Sequence, residues 1–412
     1  MPNQNFLRPT WAEIKLSALR KNLLKIQDIA GPGKKVMFVV KANAYGHGAV
    51  DVARFAEQEG LAWGFGVSSV EEGITLRDAG VVSPVLILGS LYPFKSFVEA
   101  INRNLMVTIA SLDAARQVIE ASRTLEKKAV CHVKLETGMG RIGARKPSVI
   151  KIFEELSGSK NAVIGGLYTH LACADCDPEF TALQLGYFME TAAEVARYGS
   201  ASLDNSFAGP RPFEVLAKKD APGGVLRHAA NSAGLINYPD SIWDMVRTGL
   251  AAYGLMEGFE PALSWKTKIV FIKNVREGSF ISYGKSFKAP RPMKVATLPV
   301  GYGDGYVRRF SNKASVLVSG RKCPVIGNVT MDMTMIDVTD VGDAAVGSEV
   351  ALIGRQGKEG SSSVGHRTGQ NNSSLTPLSG EEIGAAALAE LAGTIPYEVV
   401  TLISSRVPRV YV

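Results

Sequence analysis

The stretch KVMFVVKANAYGHG, residues 35–48, combines a strand-like apolar run with one lysine and a turn of small residues. Lys41 comes directly after five consecutive apolar residues. Because burial disfavours the charged form of an amine, a lysine at the end of a buried strand has a lowered pKa and becomes nucleophilic. The stretch therefore predicts a reactive amine at Lys41. The alternative is a strand-end lysine whose stem packs on the protein while its ammonium group reaches water.

Apolar, β-branched runs of this kind alternate with longer amphipathic segments from residue 35 to about residue 256. Such alternation is typical of repeated βα units around a parallel sheet. We count eight units and predict an α/β fold, a (β/α)8 barrel of the TIM type. The eight predicted strands are VMFVVK, LAWGFGVSS, PVLILGS, LMVTIA, AVCHVK, VIGGLYTH, VLRHAAN and DMVRTG.

The catalytic groups of such barrels lie at the C-terminal ends of the strands. Here those ends carry mostly cationic or titratable side chains, so the barrel mouth suits an anionic ligand. Each histidine could instead be a satisfied core residue, and the arginine an ordinary strand-end cation. The residues concerned are Lys41, Lys134, His170, His228 and Arg247.

Beyond residue 256 the chain changes to short alternating strands broken by glycine. We predict a barrel domain over residues 1–256, whose first residues pair with the second domain, and a mostly-β domain over residues 257–412. Residues 356–380 are rich in Gly, Ser, Asn and Thr and predict a surface insertion. Near the end, EEIGAAALAELAG predicts a helix and PYEVVTLISSRVPRVYV predicts strand.

The composition excludes several classes of protein. With 412 residues, 46% hydrophobic and 21% charged, the chain is neither fibrous nor disordered. The net charge is +7, but 46 basic and 39 acidic residues are mixed along the chain, which argues against nucleic-acid binding. No secretory signal pattern and no apolar run of about 18–20 residues is present, so we predict a cytoplasmic protein without a membrane span.

The four cysteines, Cys131, Cys173, Cys176 and Cys323, are too few for a disulfide framework in a chain of this length. Cys173 and Cys176 form one CxxC pair, and no second pair stands at zinc-site spacing. We therefore predict no metal.

Taken in order, the motifs of nearly the whole chain resemble the alanine racemases, which are pyridoxal 5'-phosphate (PLP) enzymes with a barrel and a C-terminal β-domain. Any one of these motifs alone would be weak. They are VVKANAYGHG, VKLETGMGRIG, GLYTHLA, HAANSAG, MVRTGLAAYG, SYG, VGYGDGYVRR and MDMTMIDVT.

The resemblance implies that Lys41 holds PLP covalently and then acts as a base. Racemisation needs a second base on the opposite face of the substrate. By resemblance this base is Tyr283 of the partner subunit, so the enzyme would be a homodimer with a shared active site. A tyrosine has an ordinary pKa of about 10 and needs neighbouring positive charge to act near neutral pH. By resemblance His170 would link the phenol towards Arg247, and His228 would support the same arginine.

Arg247 would face the pyridine nitrogen of PLP. Since a guanidinium group stays protonated, that nitrogen should remain largely unprotonated, which favours reprotonation at the α-carbon over transamination. The PLP phosphate would bind Tyr45, Ser232 and the amides of Gly249 and Leu250, with Ser232 opening a short helix.

The resemblance also implies contacts from Arg141 to the phenolic oxygen of PLP and to the substrate carboxylate. Lys134 matches a position that is often carbamylated, where the added negative charge orients the arginine. In the second domain, the Met331 amide would bind the substrate carboxylate. Tyr302 would narrow the entrance with Tyr283, and Asp332 has a supporting place.

Three residues depart from the family pattern. Thr330 stands where cysteine is frequent, and Glu136 where aspartate is usual. Ser405 replaces a tyrosine that crowds the substrate side chain in many members, which puts strict alanine specificity in doubt. We therefore predict an alanine racemase that supplies D-alanine for peptidoglycan. The alternatives are a broader or serine racemase of the same fold, and a PLP-binding protein without catalysis.

Overall fold

The computed structural model describes residues 7–198, 224–356 and 381–412. The chain divides into two units: Leu16–Glu260, and Met1–Lys15 together with Pro261–Val412. Near the end of the first unit, the Asn22 side chain bonds the backbone of Ala252 (3.0 Å) and Glu260 (2.8 and 2.9 Å). Beyond residue 356, the predicted insertion lies outside the described residues.

The first strand, β1 (Thr10–Ile14), belongs to the second unit. The first unit contains a barrel sheet of eight parallel strands in the order β8, β7, β6, β5, β4, β3, β2, β9. Two backbone hydrogen bonds of 3.0 Å, Arg247 to Ala230 and Asp244 to Arg227, bring β9 back towards β8 and nearly close the barrel. The predicted fold class is confirmed. The strands are β2 (Lys35–Val39), β3 (Gly64–Val67), β4 (Val85–Ile87), β5 (Met106–Ile109), β6 (Ala129–Lys134), β7 (Ala162–Tyr168), β8 (Leu226–His228) and β9 (Met245–Thr248).

Helices follow the strands and cover the sheet, as expected for parallel βα units. Their starts follow ordinary capping rules: Ser69, Ser111 and Asp177 each accept a backbone N–H of the first turn. The helical segments are α1 (Leu16–Ala30), α2 (Lys41–Tyr45), α3 (Ala49–Gln58), α4 (Val70–Asp78), α5 (Phe94–Asn102), α6 (Leu112–Leu125), α7 (Lys146–Ser157), α8 (Pro178–Val195) and α9 (Ser232–Asn237).

Among its described residues, the second unit contains three sheets. β1 is the strand next to the edge of the largest sheet, antiparallel to β10 (Leu263–Lys268) and parallel to the edge strand β20 (Arg409–Tyr411). This sheet has the order β16, β15, β18, β10, β1, β20, with β19 on β18; β11, β14 and β17 form a second sheet, and β12 with β13 a third. The strands are β10 (Leu263–Lys268), β11 (Phe271–Val275), β12 (Phe280–Ile281), β13 (Phe287–Lys288), β14 (Met293–Leu298), β15 (Ser315–Val318), β16 (Arg321–Pro324), β17 (Thr334–Asp337), β18 (Glu349–Gln356), β19 (Glu381–Ile383) and β20 (Arg409–Tyr411).

The prediction for the end of the chain was partly wrong. The predicted helix is present as α10 (Ala385–Ala392), but PYEVVT forms a further helix, α11 (Pro396–Thr401), and only β20 is strand. Pro396 occupies the first turn, where its missing N–H costs nothing, and Val399 and Val400 are buried. Within the described residues, no helix has both the length and the apolar character needed to span a bilayer.

Candidate active site

Lys41 begins a turn instead of ending a strand, because β2 stops at Val39. The four residues after it, Ala42 to Tyr45, have φ between 51° and 55°, so α2 is a left-handed turn. The Ala42 amide donates to Glu72 Oε1 (2.7 Å), and the Asn43 side chain accepts from the Ala49 amide (2.9 Å). These contacts hold the turn in a conformation that non-glycine residues otherwise avoid.

The cationic side chains predicted at the barrel mouth converge around His170. Burial, followed by the charges of Arg247, Arg141, Lys134 and Lys41, lowers the pKa of His170 to about 3. His170 is therefore neutral near pH 7. Such a concentration of positive charge favours an anionic ligand at this mouth.

Lys41 has a pKa below its ordinary value. Burial is the main cause, the Arg141 charge adds to it, and Glu72 acts in the opposite direction. A lowered pKa increases the fraction of unprotonated amine, the form that attacks a carbonyl group. This agrees with the reactivity predicted from the apolar run.

Lys134, the last residue of β6, is only 3% exposed. Its Nζ lies 5.4 Å from the centroid of the Tyr168 ring. Burial and then the charge of Arg141 contribute most to lowering its pKa to about 7. The lowered pKa makes an unprotonated, nucleophilic amine accessible to Lys134 near neutral pH.

Arg141 lies on a loop that Glu136 holds together. The carboxylate of Glu136 accepts the amides of Gly138 (2.6 Å) and Gly140 (3.0 Å). Residues Leu135 and Ala144 close the base of the loop as an isolated β-bridge. The side chain of Glu136 therefore supplies acceptors for the main-chain N–H groups of this glycine-rich turn.

Arg247 is buried, and its four terminal N–H groups all have acceptors. Nη1 donates to His228 Nδ1 (2.9 Å) and to the His228 carbonyl oxygen (2.8 Å). Nη2 donates to the carbonyl oxygens of Thr169 (2.6 Å) and Ala229 (3.2 Å). This leaves Nε–H as the one guanidinium donor with no acceptor among the described residues, available to a ligand.

His132, which is not among the predicted site residues, continues this buried network. Its Nδ1 lies 2.9 Å from His228 Nε2. A signal was present in the sequence: Gly165 and Gly166 of β7 leave the space that the imidazole fills, since a Cβ on Gly166 would lie 2.3 Å from His132 Nδ1. Paired glycines inside a strand mark such a close approach.

Gly249 and Tyr45 form a close pair after β9. A Cβ on Gly249 would lie 2.8 Å from the Tyr45 hydroxyl oxygen, so only glycine leaves that hydroxyl its present place. The Tyr45 ring packs on Tyr253, with centroids 5.1 Å apart. Tyr253 in turn donates to the Val39 carbonyl oxygen (3.0 Å).

Ser232 begins α9, as predicted. With Tyr45 and Gly249 it forms a group of residues that we call the cradle. Its Oγ accepts the amides of Gly249 and Ala251, each at 3.2 Å, while Leu250 lies between them in the chain. Because the oxygen is already an acceptor twice, the Ser232 hydroxyl proton is the part left to donate to an anion.

The second unit contains a cleft of about 500 Å³. Ser282 and Lys285, which flank the Tyr283 turn, have positive φ (68° and 52°), and Tyr283 is 74% exposed. The Tyr302 amide donates to the Thr330 carbonyl oxygen (3.0 Å) across the cleft wall. The lining residues are Tyr283, Tyr302, Arg308, Asn328, Val329, Thr330, Met331, Asp332 and Met333.

Asp332 contacts Arg406, whose Nη2 donates to its carboxylate at 2.6 Å. The same arginine lies near the buried Asp304, which also binds Arg8 and the Gly301 amide. Asp304 thus connects the two ends of the chain to the turn that carries Tyr302.

Comparisons with known proteins cover nearly the whole chain. The family models described as alanine racemase, N-terminal domain, and alanine racemase, C-terminal domain, match residues 14–217 and 262–411. The chain belongs to the alanine racemase family. An alanine racemase of Symbiobacterium thermophilum is 42% identical over 98% of this chain and 97% of its own length.

Solved alanine racemases have the same fold. That of Clostridium difficile is 33% identical, with a TM-score of 0.82 over 98% of this chain and 96% of its own. That of Bacillus anthracis, with bound L-Ala-P, is 31% identical, with a TM-score of 0.82 over 99% of this chain and 96% of its own.

Thr330 has a defined structural place in the cleft of the second unit. Its hydroxyl donates to the Met333 carbonyl oxygen (2.8 Å) and accepts the Met333 amide (3.2 Å). Thr330 therefore closes the turn that carries Met331 and Asp332. Neither this contact nor that of Glu72 with the Lys41 turn could be predicted from the local sequence, because both depend on the folded chain.

Proposed function

We propose that this member of the alanine racemase family interconverts L- and D-alanine with PLP as its cofactor. The observation that carries the proposal is the convergence of a reactive lysine, Lys41, with the charges around His170. The Bacillus anthracis relative was solved with bound L-Ala-P, which supports alanine as the substrate.

The residues of the barrel fit PLP on three sides. The close pair of Tyr45 and Gly249, together with the Ser232 hydroxyl, suits a phosphate. The lowered pKa of Lys41 suits a covalent bond to an aldehyde, and Arg247 Nε–H suits the pyridine nitrogen. When bound, PLP supplies the electron sink that makes the α-proton of an amino acid acidic.

Arg247 can only donate hydrogen bonds, and this fixes the direction of its contacts. His228 Nδ1 must accept from Nη1, so His228 is neutral and carries its proton on Nε2. Likewise, Arg247 Nε–H can donate to a pyridine nitrogen but cannot remove a proton from it. Arg247 thereby favours return of the proton to the substrate α-carbon.

Two bases on opposite faces move that proton. Lys41 removes or returns the α-proton on one face, and Tyr283 of the partner subunit does so on the other. The exposure of Tyr283 supports a phenol that meets another chain. We accordingly propose a homodimer with two shared active sites.

The substrate carboxylate binds Arg141 and the Met331 amide, with Tyr302 and Asp332 supporting the entrance. Lys134 reacts with CO2 to give a carbamate and a released proton, and the carbamate orients Arg141. The neutral form of Lys134 near pH 7 supports this step, because only an unprotonated amine attacks CO2. We further propose that the protein is cytoplasmic and supplies D-alanine for peptidoglycan.

The experiment is a racemisation assay of the PLP-loaded protein with L-alanine, read by D-amino-acid oxidase. We expect formation of D-alanine, and for Lys41→Ala the loss of both activity and the visible absorbance of covalently held PLP. Lys25→Ala serves as the control, since Lys25 lies on the surface, where it donates to the Gly258 carbonyl oxygen. A yellow wild-type protein that racemises no amino acid would overturn the proposal and leave a PLP-binding protein.

A broader specificity that includes serine is the second candidate. The observation in its favour is Ser405, a small, exposed residue where many family members have tyrosine. We expect Ser405→Tyr to lower kcat/KM for L-serine more than for L-alanine. Equal effects on both substrates would exclude Ser405 as a determinant of specificity.

A further inference from the structure

Cys173 and Cys176 lie on the segment between β7 and α8, three and six residues after His170. The Cys176 amide donates to the Cys173 carbonyl oxygen (3.0 Å), which closes a four-residue turn. Such a turn brings its first and last Cα atoms within about 7 Å, and disulfides span about 4.4–6.8 Å between Cα atoms. The turn therefore brings the two cysteines close to the span of a disulfide, and closing the bond requires a local adjustment of this backbone.

The two thiols are also accessible, unlike the other cysteines. Cys176 is exposed and Cys173 partly exposed, whereas Cys131 and Cys323 are buried. Desolvation, the hydrogen bond with Cys173 and the nearby Asp175 raise the pKa of Cys176 to about 11.

Gln184 of α8 connects this segment to the barrel mouth. Its side-chain oxygen accepts the Ala172 amide (2.9 Å), one residue before Cys173. Its side-chain amide donates to the His170 carbonyl oxygen (3.2 Å) and to Thr137 Oγ1 (2.9 Å). Thr137 belongs to the loop that carries Arg141. A displacement of Ala172 would therefore move Gln184 and disturb its contacts with both His170 and this loop.

A second connection leads to the phosphate cradle. Asn237, the last residue of α9, donates to the Ala174 carbonyl oxygen inside the cysteine turn (2.9 Å). Asn231, which caps the same helix, donates to the Leu171 carbonyl oxygen (3.3 Å). Since Ser232 starts α9, the cysteine turn contacts the helix that carries the cradle hydroxyl.

We propose that Cys173 and Cys176 form a reversible disulfide that lowers racemase activity by displacing the backbone that supports His170 and Ser232. The inference rests on the proposed racemase function. Neither cysteine takes part in the proposed reaction at Lys41, so the disulfide would be a separate modification of the protein.

The oxidant is a low-molecular-weight disulfide. A thiolate of the pair attacks one sulfur of that disulfide and expels one small thiolate, leaving a mixed disulfide on the protein. The second protein thiolate then attacks the protein sulfur of the mixed bond and expels the second small thiolate. The protein loses two electrons and two protons, and the small disulfide is reduced to two thiols. Because thiolates react, the rate should rise with pH above neutrality.

The test titrates the PLP-loaded protein with mixtures of oxidised and reduced glutathione. Peptide mass spectrometry reads the Cys173–Cys176 bond, and the alanine assay reads activity at each ratio. We expect the bond to form while Cys131 and Cys323 stay reduced, activity to fall several-fold in parallel, and dithiothreitol to restore it. Cys176→Ser should have normal activity when reduced and be insensitive to the mixtures.

Two results would overturn the inference: no intrachain bond at any glutathione ratio, or full activity in protein shown to carry the bond. Cys173→Ser gives a second variant if Cys176→Ser does not fold. If the protein has no racemase activity even when reduced, but still forms the bond on oxidation, the result contradicts the proposed function and not the disulfide. The two can be told apart because the bond is detected by mass spectrometry and not by activity.

Discussion

The Nδ1 atom of His132 lies 2.9 Å from Nε2 of His228, and both imidazoles are completely buried. Since Arg247 donates to His228, the proton on His228 Nε2 must be the one donated to His132. His132 is then an acceptor at Nδ1 and carries its own proton on Nε2. Burial and then the Arg247 charge lower the pKa of His132 to about 3.

The free energy of unfolding should decrease as the pH falls, because of these histidines. Between pH 6.5 and about 3 the unfolded chain binds a proton at His132 and the folded chain does not, so stability decreases as the pH falls. Each such histidine contributes up to about 1.4 kcal/mol per pH unit. For His132→Gln we expect lower stability at pH 8, and a difference from wild type that narrows as the pH falls towards 5. Urea unfolding at a series of pH values measures this.

Tyr168→Phe is the matched control for that series. Tyr168 stacks on His228 (centroids 4.8 Å apart) and shares a hydrogen bond with Thr108 Oγ1 (2.7 Å). Burial raises its pKa to about 12, so it does not titrate between pH 5 and 8. Its variant should lose stability by the same amount throughout. A constant difference for His132→Gln as well would contradict the assignment.

Gly249→Ala should weaken cofactor binding. The added Cβ would displace the Tyr45 hydroxyl, and losing one hydrogen bond to a charged phosphate costs about 1.5–3 kcal/mol, or roughly ten- to a hundredfold in Kd. Fluorescence titration with PLP measures it. Gly186→Ala in α8, where no atom lies within 4 Å of the new Cβ, should bind PLP normally. Equal affinity for both variants would exclude this pair from the phosphate site.

Activity should depend on dissolved CO2 through Lys134. Its pKa of about 7 predicts that the carbamate is present near neutral pH and lost as the pH falls and the amine is protonated. We expect degassed, bicarbonate-free buffer to lower kcat, and bicarbonate to restore it. Lys134→Ala should respond to added acetate instead of bicarbonate. Unchanged kcat in the absence of bicarbonate, with no added mass on the Lys134 peptide, would refute carbamylation.

Tyr283→Phe should remove one of the two bases. We expect racemisation to fall by about 10²–10⁴-fold, the usual contribution of a positioned acid or base. In deuterated water, α-proton exchange of one alanine enantiomer should survive, because Lys41 still acts on its own face. Tyr397→Phe, a similar change on α11, should leave both rates unaltered. Exchange lost equally from both enantiomers would argue against a two-base mechanism.

Local patterns were enough to predict the barrel strands, because each buried strand is a short apolar run bounded by turns. They also marked three site residues: Lys134 at the end of β6, Arg247 next to the end of β9, and Lys41 two residues after β2. The roles of Glu72 and His132 were not predicted, because their partners, Ala42 and His228, are distant in the chain and no local pattern indicates the contact. Helix α11 was missed since its β-branched residues favour strand locally, and tertiary packing overrides that preference.

The left-handed turn after Lys41 bears on how the protein is made. Each left-handed non-glycine residue costs roughly 1–2 kcal/mol, so the isolated segment 41–45 does not adopt this shape by itself. It needs the Glu72 carboxylate, which is delivered only when α4 has docked beside β3. A nascent chain therefore carries an ordinary, hydrated lysine. Selective reactivity at Lys41 therefore emerges only with tertiary structure, and an unfolded copy of the chain has no lysine that differs from the others.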